Sequence, residues 1–302
     1  MTTSTGKAST ITLNNGVELP VLGLGVLLSR PNETAQAVET AINVGYRLID
    51  TAAMYNNERE VGEGIRRSGI DRGELFVTTK LWLSDFGFDS ALRAFDLSLK
   101  KLGLDYVDLY LIHWPVPSSF ENTVAAYKAL EKLLQEGRVR AIGVSNFKES
   151  HLNDLLERTE VVPAVNQVEL SPFFAQPDIR ETDRRLGIVT QSWSPIGGVY
   201  DRYKAITPDG ARNPMEHPTV VELAEKHGKT PAQVVLRWHI EHGLSAIPKS
   251  VRAERIAENI DIFDFSLASE EVAAIDKLDT GHRAGPDPDV AHAGTWQVTI
   301  GD

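Results

Sequence analysis

Cysteine is absent from all 302 residues, so disulfide frameworks, thiolate nucleophiles and cysteine-ligated metals are excluded at the outset. No stretch approaches the roughly 18 consecutive apolar residues of a membrane span, and residues 1–10, rich in serine and threonine, lack the apolar centre of a secretory signal. A cytoplasmic chain without membrane contact is the expectation. Basic residues are in deficit: 42 acidic against 31 basic side chains give a formal charge of −11, which disfavours nucleic acid and anionic membrane as partners. Also missing are His-Glu-x-x-His and Gly-x-Ser-x-Gly, the marks of a zinc hydrolase and a serine hydrolase, and no metal site is expected. No Gly-x-Gly-x-x-Gly opens a βαβ unit either, because Gly23-Leu24-Gly25 is too short for that fingerprint.

What is present is an ordinary globular composition, 42% hydrophobic and 24% charged, arranged as a long alternation. Residues 11–19, split by Asn14-Asn15-Gly16, read as a small hairpin. Short apolar runs follow at 21–24, 48–50, 75–79, 107–112, 141–144, 164–168, 188–191 and 245–247. Between and after them lie helical patterns at 33–44, 57–68, 90–102, 123–135, 149–156, 178–185, 219–227 and 252–260. Around Leu130, Leu133 and Leu134, with Tyr127 one turn earlier, an apolar stripe leaves Glu131, Lys132 and Glu136 to water, the pattern of a helix lying on a sheet.

Strands buried on both faces read as continuous apolar runs, and eight such units imply a closed α/β (β/α)8 TIM barrel rather than an open sheet. One domain covering 1–302 is expected, with the N-terminal hairpin and an extra C-terminal helix at 269–278 as additions. Residues 192–218, containing Gly197, Gly198, Pro208 and Pro214, are too long for a routine βα connection, and 281–302 form a tail. Both are expected as loops on the active face.

In a barrel, the carboxyl ends of the strands converge on one face. Asp50 ends the second run, Lys80 the third, His113 follows the fourth, and Tyr55 lies in the loop after Asp50. Singly, each has a structural explanation: a turn cap, a snorkelling lysine, a rim aromatic, a hydrogen-bonded histidine. Together they form an acid-base system. A phenol titrates near ~10, and a neighbouring ammonium paired with a carboxylate favours its ionised form. Tyr55 can then give a proton to an oxygen that becomes negative during reaction, with His113 orienting that oxygen. Hydride addition to a carbonyl needs such a donor. A lysine-dependent lyase using Lys80 as a nucleophile is the competing enzyme class, and a nucleotide-sensing barrel the non-enzymatic one.

These segments resemble the aldo-keto reductase family. Gly45-Tyr46-Arg47-Leu48-Ile49-Asp50-Thr51-Ala52, followed by Tyr55 and Asn57-Glu58, is similar to its first signature. Thr78-Thr79-Lys80, Leu111-Ile112-His113-Trp114-Pro115 and Ile247-Pro248-Lys249-Ser250 resemble its lysine strand, histidine segment and late cofactor signature. The likeness is to the small bacterial members grouped with diketogluconate reductases.

The resemblance implies NADPH-dependent reduction of small aldehydes, ketones or dicarbonyls, with Tyr55 as general acid, Lys80 and Asp50 tuning it, and His113 placing the carbonyl. It implies NADPH (NADP+) contacts from Gly25, Val26, Ser145, Asn146, Gln167, Trp193 and Ser194. Trp193 would stack on the nicotinamide. At the adenosine phosphate end the implied contacts are Lys249, Ser250, Arg255, Glu258 and Asn259. Leu27, Trp82 and Trp114 are the implied substrate walls, with leucine at 27 where many relatives carry an aromatic, and Trp296, in a tail that reads either as a surface wrap or as a pocket loop, is a further candidate. A monomer acting on a small-molecule carbonyl is the implied state.

Overall fold

The structure, a computed structural model, describes residues 9–197, 213–292, 294, 295, 298, 300 and 301. It opens on the expected hairpin, β1 (Thr10–Thr12) paired antiparallel with β2 (Glu18–Pro20). Leu13 and Leu19 are buried among Leu48, Phe76 and Val165, the first residues of later strands, so the hairpin plugs the amino-terminal end of the barrel.

The barrel follows as β3 (Leu24–Gly25), α1 (Pro31–Val44), β4 (Leu48–Asp50), α2 (Glu58–Ser68), β5 (Phe76–Leu81) and α3 (Phe88–Leu102). Next come β6 (Val107–Ile112), α4 (Phe120–Gln135), β7 (Val139–Ser145), α5 (Glu149–Leu156), β8 (Val165–Glu169) and α6 (Pro177–Leu186). It ends with β9 (Val189–Trp193), α7 (Pro218–His227), α8 (Pro231–Glu241), β10 (Ser245–Ala246), α9 (Ala253–Ile260) and α10 (Ser269–Asp276).

The eight strands β3 to β10 lie in chain order, all pairs parallel. Bridges from Leu22 to Ala246 and from Gly25 to Lys249 join the first strand to the last, which closes the cylinder. Glycine at 25 permits that closure, because a Cβ there would stand 2.9 Å from the Ile247 carbonyl oxygen. All six residues of β6 are buried, as a strand covered by helices outside and side chains inside must be. The outer layer joins sheet to helices through residues such as Phe95, Tyr110 and Tyr127.

One helix departs from the sequence expectation. The single pattern at 219–227 is followed by a second helix, α8, before the last strand. Val234, Val235, Leu236, Trp238 and His239 are buried while Arg237 pairs with Glu241 on the less buried side, and the short apolar run 234–236 reads from sequence as readily as a strand. Its local signal is the start: Thr230 accepts from the Gln233 amide, Gln233 accepts from the Thr230 amide, and proline occupies the first turn. Lys80 is also one residue inside β5 rather than at its end. Of the long connection at 192–218, Gly198 and Pro208 lie outside the described residues.

Candidate active site

Strand register brings the chemistry together. Gly25 pairs with Asp50, Asp50 with Thr78, and Lys80 with Leu111, so β3 to β6 deliver Asp50, Lys80 and His113 to the carboxyl end of the barrel. Tyr55 closes a short 3-10 turn, Ala53–Tyr55, after β4. Lys80 is fully buried and donates to Asp50 Oδ1 at 2.5 Å, the Thr51 carbonyl at 3.0 Å and the Tyr55 hydroxyl at 3.3 Å. Three acceptors around one nitrogen match the three hydrogens of an ammonium. Burial pushes Asp50 up and Lys80 down, and in each case the attraction of the other opposes the shift.

His113 lies against Tyr55 and Trp82, with ring centroids 5.8 and 5.1 Å away. Burial, then the charge of Lys80, hold its imidazole well below the usual histidine range, so it is a neutral hydrogen-bonding group at neutral pH. Gln167 donates to Asp50 Oδ2 and to Gln191 Oε1, both at 2.7 Å. Ser145 donates to the Gln167 carbonyl at 2.7 Å, Asn146 to the His113 carbonyl at 3.0 Å, and the Trp193 indole to Asn146 Oδ1 at 2.9 Å. Asn146 and Ser194 sit in left-handed backbone, φ 66° and 52°, immediately after β7 and β9. The two lie on either side of β8, and such left-handed positions cluster at functional sites.

These residues surround a cavity of about 470 Å³. Gly25, Leu27, Asp50, Tyr55, His113 and Trp114 line it, as do Ser145, Asn146, Gln167, Trp193, Ser194, Lys249 and Arg255. Sequence reasoning did not name Leu28, Met54, Ile196 or Met215, which line it too. Nothing local marks them, since an isolated apolar residue in a loop carries no periodicity. Trp82 is buried behind His113 rather than in the lining. Val26, Ser250, Glu258 and Asn259 are also outside the lining. Ser250 accepts from the Arg252 amide at 3.2 Å, and Glu258 accepts from the Thr230 hydroxyl at 2.7 Å. Trp296 lies outside the described residues.

The tail returns to this rim. Glu169, at the end of β8, accepts from the amides of Ala284 and Gly285 at 2.9 and 2.8 Å. Lys148 reaches Asp287 and Asp289 at 2.7 and 2.6 Å. Among the described residues no helix is long and apolar enough to cross a membrane, and no cluster of three or more metal-ligating side chains occurs.

A closed parallel barrel carries a tyrosine, lysine, aspartate and histidine at the carboxyl ends of adjacent strands, a candidate acid-base site on a (β/α)8 scaffold. A sequence profile of the Aldo/keto reductase family matches residues 22–280, and the chain belongs to that family. It is 56% identical over 283 residues to a morphine 6-dehydrogenase of Pseudomonas putida, covering 94% of this chain and 95% of that protein. It is 46% identical over 288 residues to a glyoxal reductase of Bacillus subtilis, covering 94% and 98%. An aldo-keto reductase of Bombyx mori, solved in complex with NADP, superposes with a TM-score of 0.85 at 38% identity, covering 93% and 96%.

Proposed function

We propose that the chain reduces uncharged, predominantly apolar aldehydes and ketones to alcohols with NADPH, using Tyr55 as proton donor. The observation that carries this reading is the Lys80 nitrogen, which donates at once to Asp50, Thr51 and Tyr55. With its oxygen accepting from an ammonium, the phenol is prepared to hold the negative charge left when its proton goes to a substrate oxygen. A buried, neutral His113 supplies a hydrogen bond to the same oxygen without adding a competing charge.

The residues present fit the cofactor. Lys249 and Arg255 line the cavity without an ion-pair partner among the described residues, as cations meant for a phosphate would. Gln167 uses both amide hydrogens inside the protein, which leaves its oxygen to accept from a carboxamide. NADPH, when bound, supplies the hydride; the chain holds its phosphate and carboxamide ends, excludes water and moves the proton at Tyr55. This reading counts against a lyase, because a Lys80 donating three hydrogen bonds is an ammonium and not a nucleophile.

For the substrate, the names of the two relatives point to very different compounds, so the lining carries the argument. Leu27, Leu28, Met54, Trp114, Ile196 and Met215 form apolar walls, and the described lining's cations are the two assigned to phosphate. Among the described lining residues a carboxylated substrate would meet no cation beyond those two.

NADPH oxidation measured with apolar aldehydes and cyclic ketones should exceed that with keto acids of matched size. Tyr55→Phe should lower turnover by roughly a hundred to ten thousandfold while NADPH still quenches tryptophan emission. Near wild-type turnover in that variant would reject Tyr55 as the donor.

A further inference from the structure

Beneath Asp50 the barrel interior holds a polar chain that the proton-donor chemistry leaves unexplained. Gln191, in β9, is fully buried. Its Oε1 accepts from Gln167 Nε2 at 2.7 Å, and its Nε2 donates to Ser245 Oγ at 3.0 Å. Ser245 in turn donates to the Pro20 carbonyl at 3.2 Å. At the other end, Gln167 Nε2 donates to Asp50 Oδ2 at 2.7 Å.

The direction of every bond in this chain is determined. A peptide carbonyl accepts and cannot donate, so Pro20 requires Ser245 to give its proton. Ser245 then faces Gln191 with lone pairs and takes the amide nitrogen. Gln191 must present its oxygen to Gln167, which must answer with nitrogen. The Asp50 carboxylate is likewise an acceptor. A chain with acceptors at both ends needs one member that donates in both directions, and the NH2 group of Gln167 is that member. Turning the Gln167 amide over would set oxygen against oxygen at both contacts.

We infer that Gln191 is a positioning residue: anchored through Ser245 to Pro20, it locks the Gln167 amide with nitrogen toward Asp50 and oxygen toward the cavity. One side chain thereby serves two parts of the site. Gln167 helps keep Asp50 ionised beside Lys80, and its oxygen is the acceptor for the nicotinamide carboxamide. The inference rests on the reductase reading for that second role.

The test compares Gln191→Met with Gln191→Glu, reading NADPH affinity by tryptophan quenching and the pH dependence of kcat. Methionine fills similar volume with no donor and only a weak sulfur acceptor; a protonated glutamate keeps the acceptor and the donor in the same places. One lost hydrogen bond is worth about tenfold, so Gln191→Met should weaken NADPH binding by about that factor, and Gln191→Glu should stay within about threefold of wild type. In Gln191→Met the acid limb of kcat should move to higher pH, because Asp50 loses an oriented donor. In a Gln167→Ala background, Gln191→Met should have little further effect on binding.

A residue that merely fills the core would give the opposite ranking, with methionine tolerated better than glutamate. That ranking, or an equal loss in the Gln167→Ala background, would overturn the inference. Ser245→Ala removes the anchor with a smaller change in volume; wild-type affinity and an unmoved acid limb in that variant, folded by circular dichroism, would also overturn it. Failure of wild-type protein to bind NADPH at all would instead reject the reductase reading, which separates the two.

Discussion

Lys80 is a charge that the fold holds at the cost of its hydration, and its chemistry depends on that arrangement. It has no exposed surface, and Asp50 is 1% exposed, so neither ion is stabilised by water. Removing one partner of such a pair leaves the other buried and uncompensated, whereas replacing both by neutral groups removes the problem. Lys80→Met should therefore lower unfolding free energy by about 3–5 kcal/mol, and Asp50→Asn combined with Lys80→Met should recover much of that loss, although both variants should lose activity. Urea unfolding of the two variants checks this; a double variant no more stable than the single would show that the pair is not the source of the cost. That Asp50, Tyr55, Lys80 and His113 meet at one end of the barrel was legible in the sequence because each interrupts or follows an apolar run. Gln191 was not, because a glutamine after Val189 and Thr190 reads like any polar residue in a strand. Only closure of the barrel makes its position interior.

At the scale of elements, strands such as β6 were legible as uninterrupted apolar runs, while α8 escaped because its short apolar run at 234–236 reads as readily as a strand. Contacts between distant segments have no local signal at all, and the tail shows this best. Gly285 lies against Trp193, and a Cβ there would come within 2.7 Å of the indole Cη2 and 2.9 Å of Glu169 Oε2. Since Glu169 also holds the Ala284 and Gly285 amides, the tail cannot easily withdraw. Gly285→Ala should therefore displace Trp193, shift its fluorescence and weaken NADPH binding, with a stability loss of about 1–3 kcal/mol from overpacking. Gly73→Ala serves as control, because nothing lies within 4 Å of its added methyl and no left-handed backbone is involved. Equal NADPH affinity in the two variants would show that the tail does not bear on Trp193.

For the whole molecule, two buried groups outside the site give folding stability opposing dependences on pH. His239, on α8, is pushed down to about 4 by burial, from the ordinary histidine value of 6.5. The unfolded chain takes that proton first, so stability present above pH 6.5 is lost as pH falls toward 4. Asp183, on α6, is pushed up to about 7 from 3.8, again by burial, while its carboxylate accepts from the hydroxyl of Thr190 and the amide of Asn166. Below pH 3.8 both folded and unfolded forms keep this proton and the group contributes nothing. Between 3.8 and about 7 the folded form keeps it while the unfolded form releases it, so stability falls as pH rises. Above about 7 both are ionised and the penalty is constant, on the order of 4 kcal/mol at 1.36 kcal/mol per pH unit. Asp183→Asn keeps an acceptor for Thr190 and carries no titratable proton. Its stability relative to wild type should therefore climb steadily from pH 4 to 7 and then level off. Taking the difference between the two proteins at each pH cancels the contribution of His239 and of every other group that titrates alike in both. Urea unfolding of the pair across pH 4 to 9 measures that difference. A difference that stays constant over the range would mean that Asp183 is ionised in the folded barrel throughout, held by its two hydrogen bonds in spite of its burial.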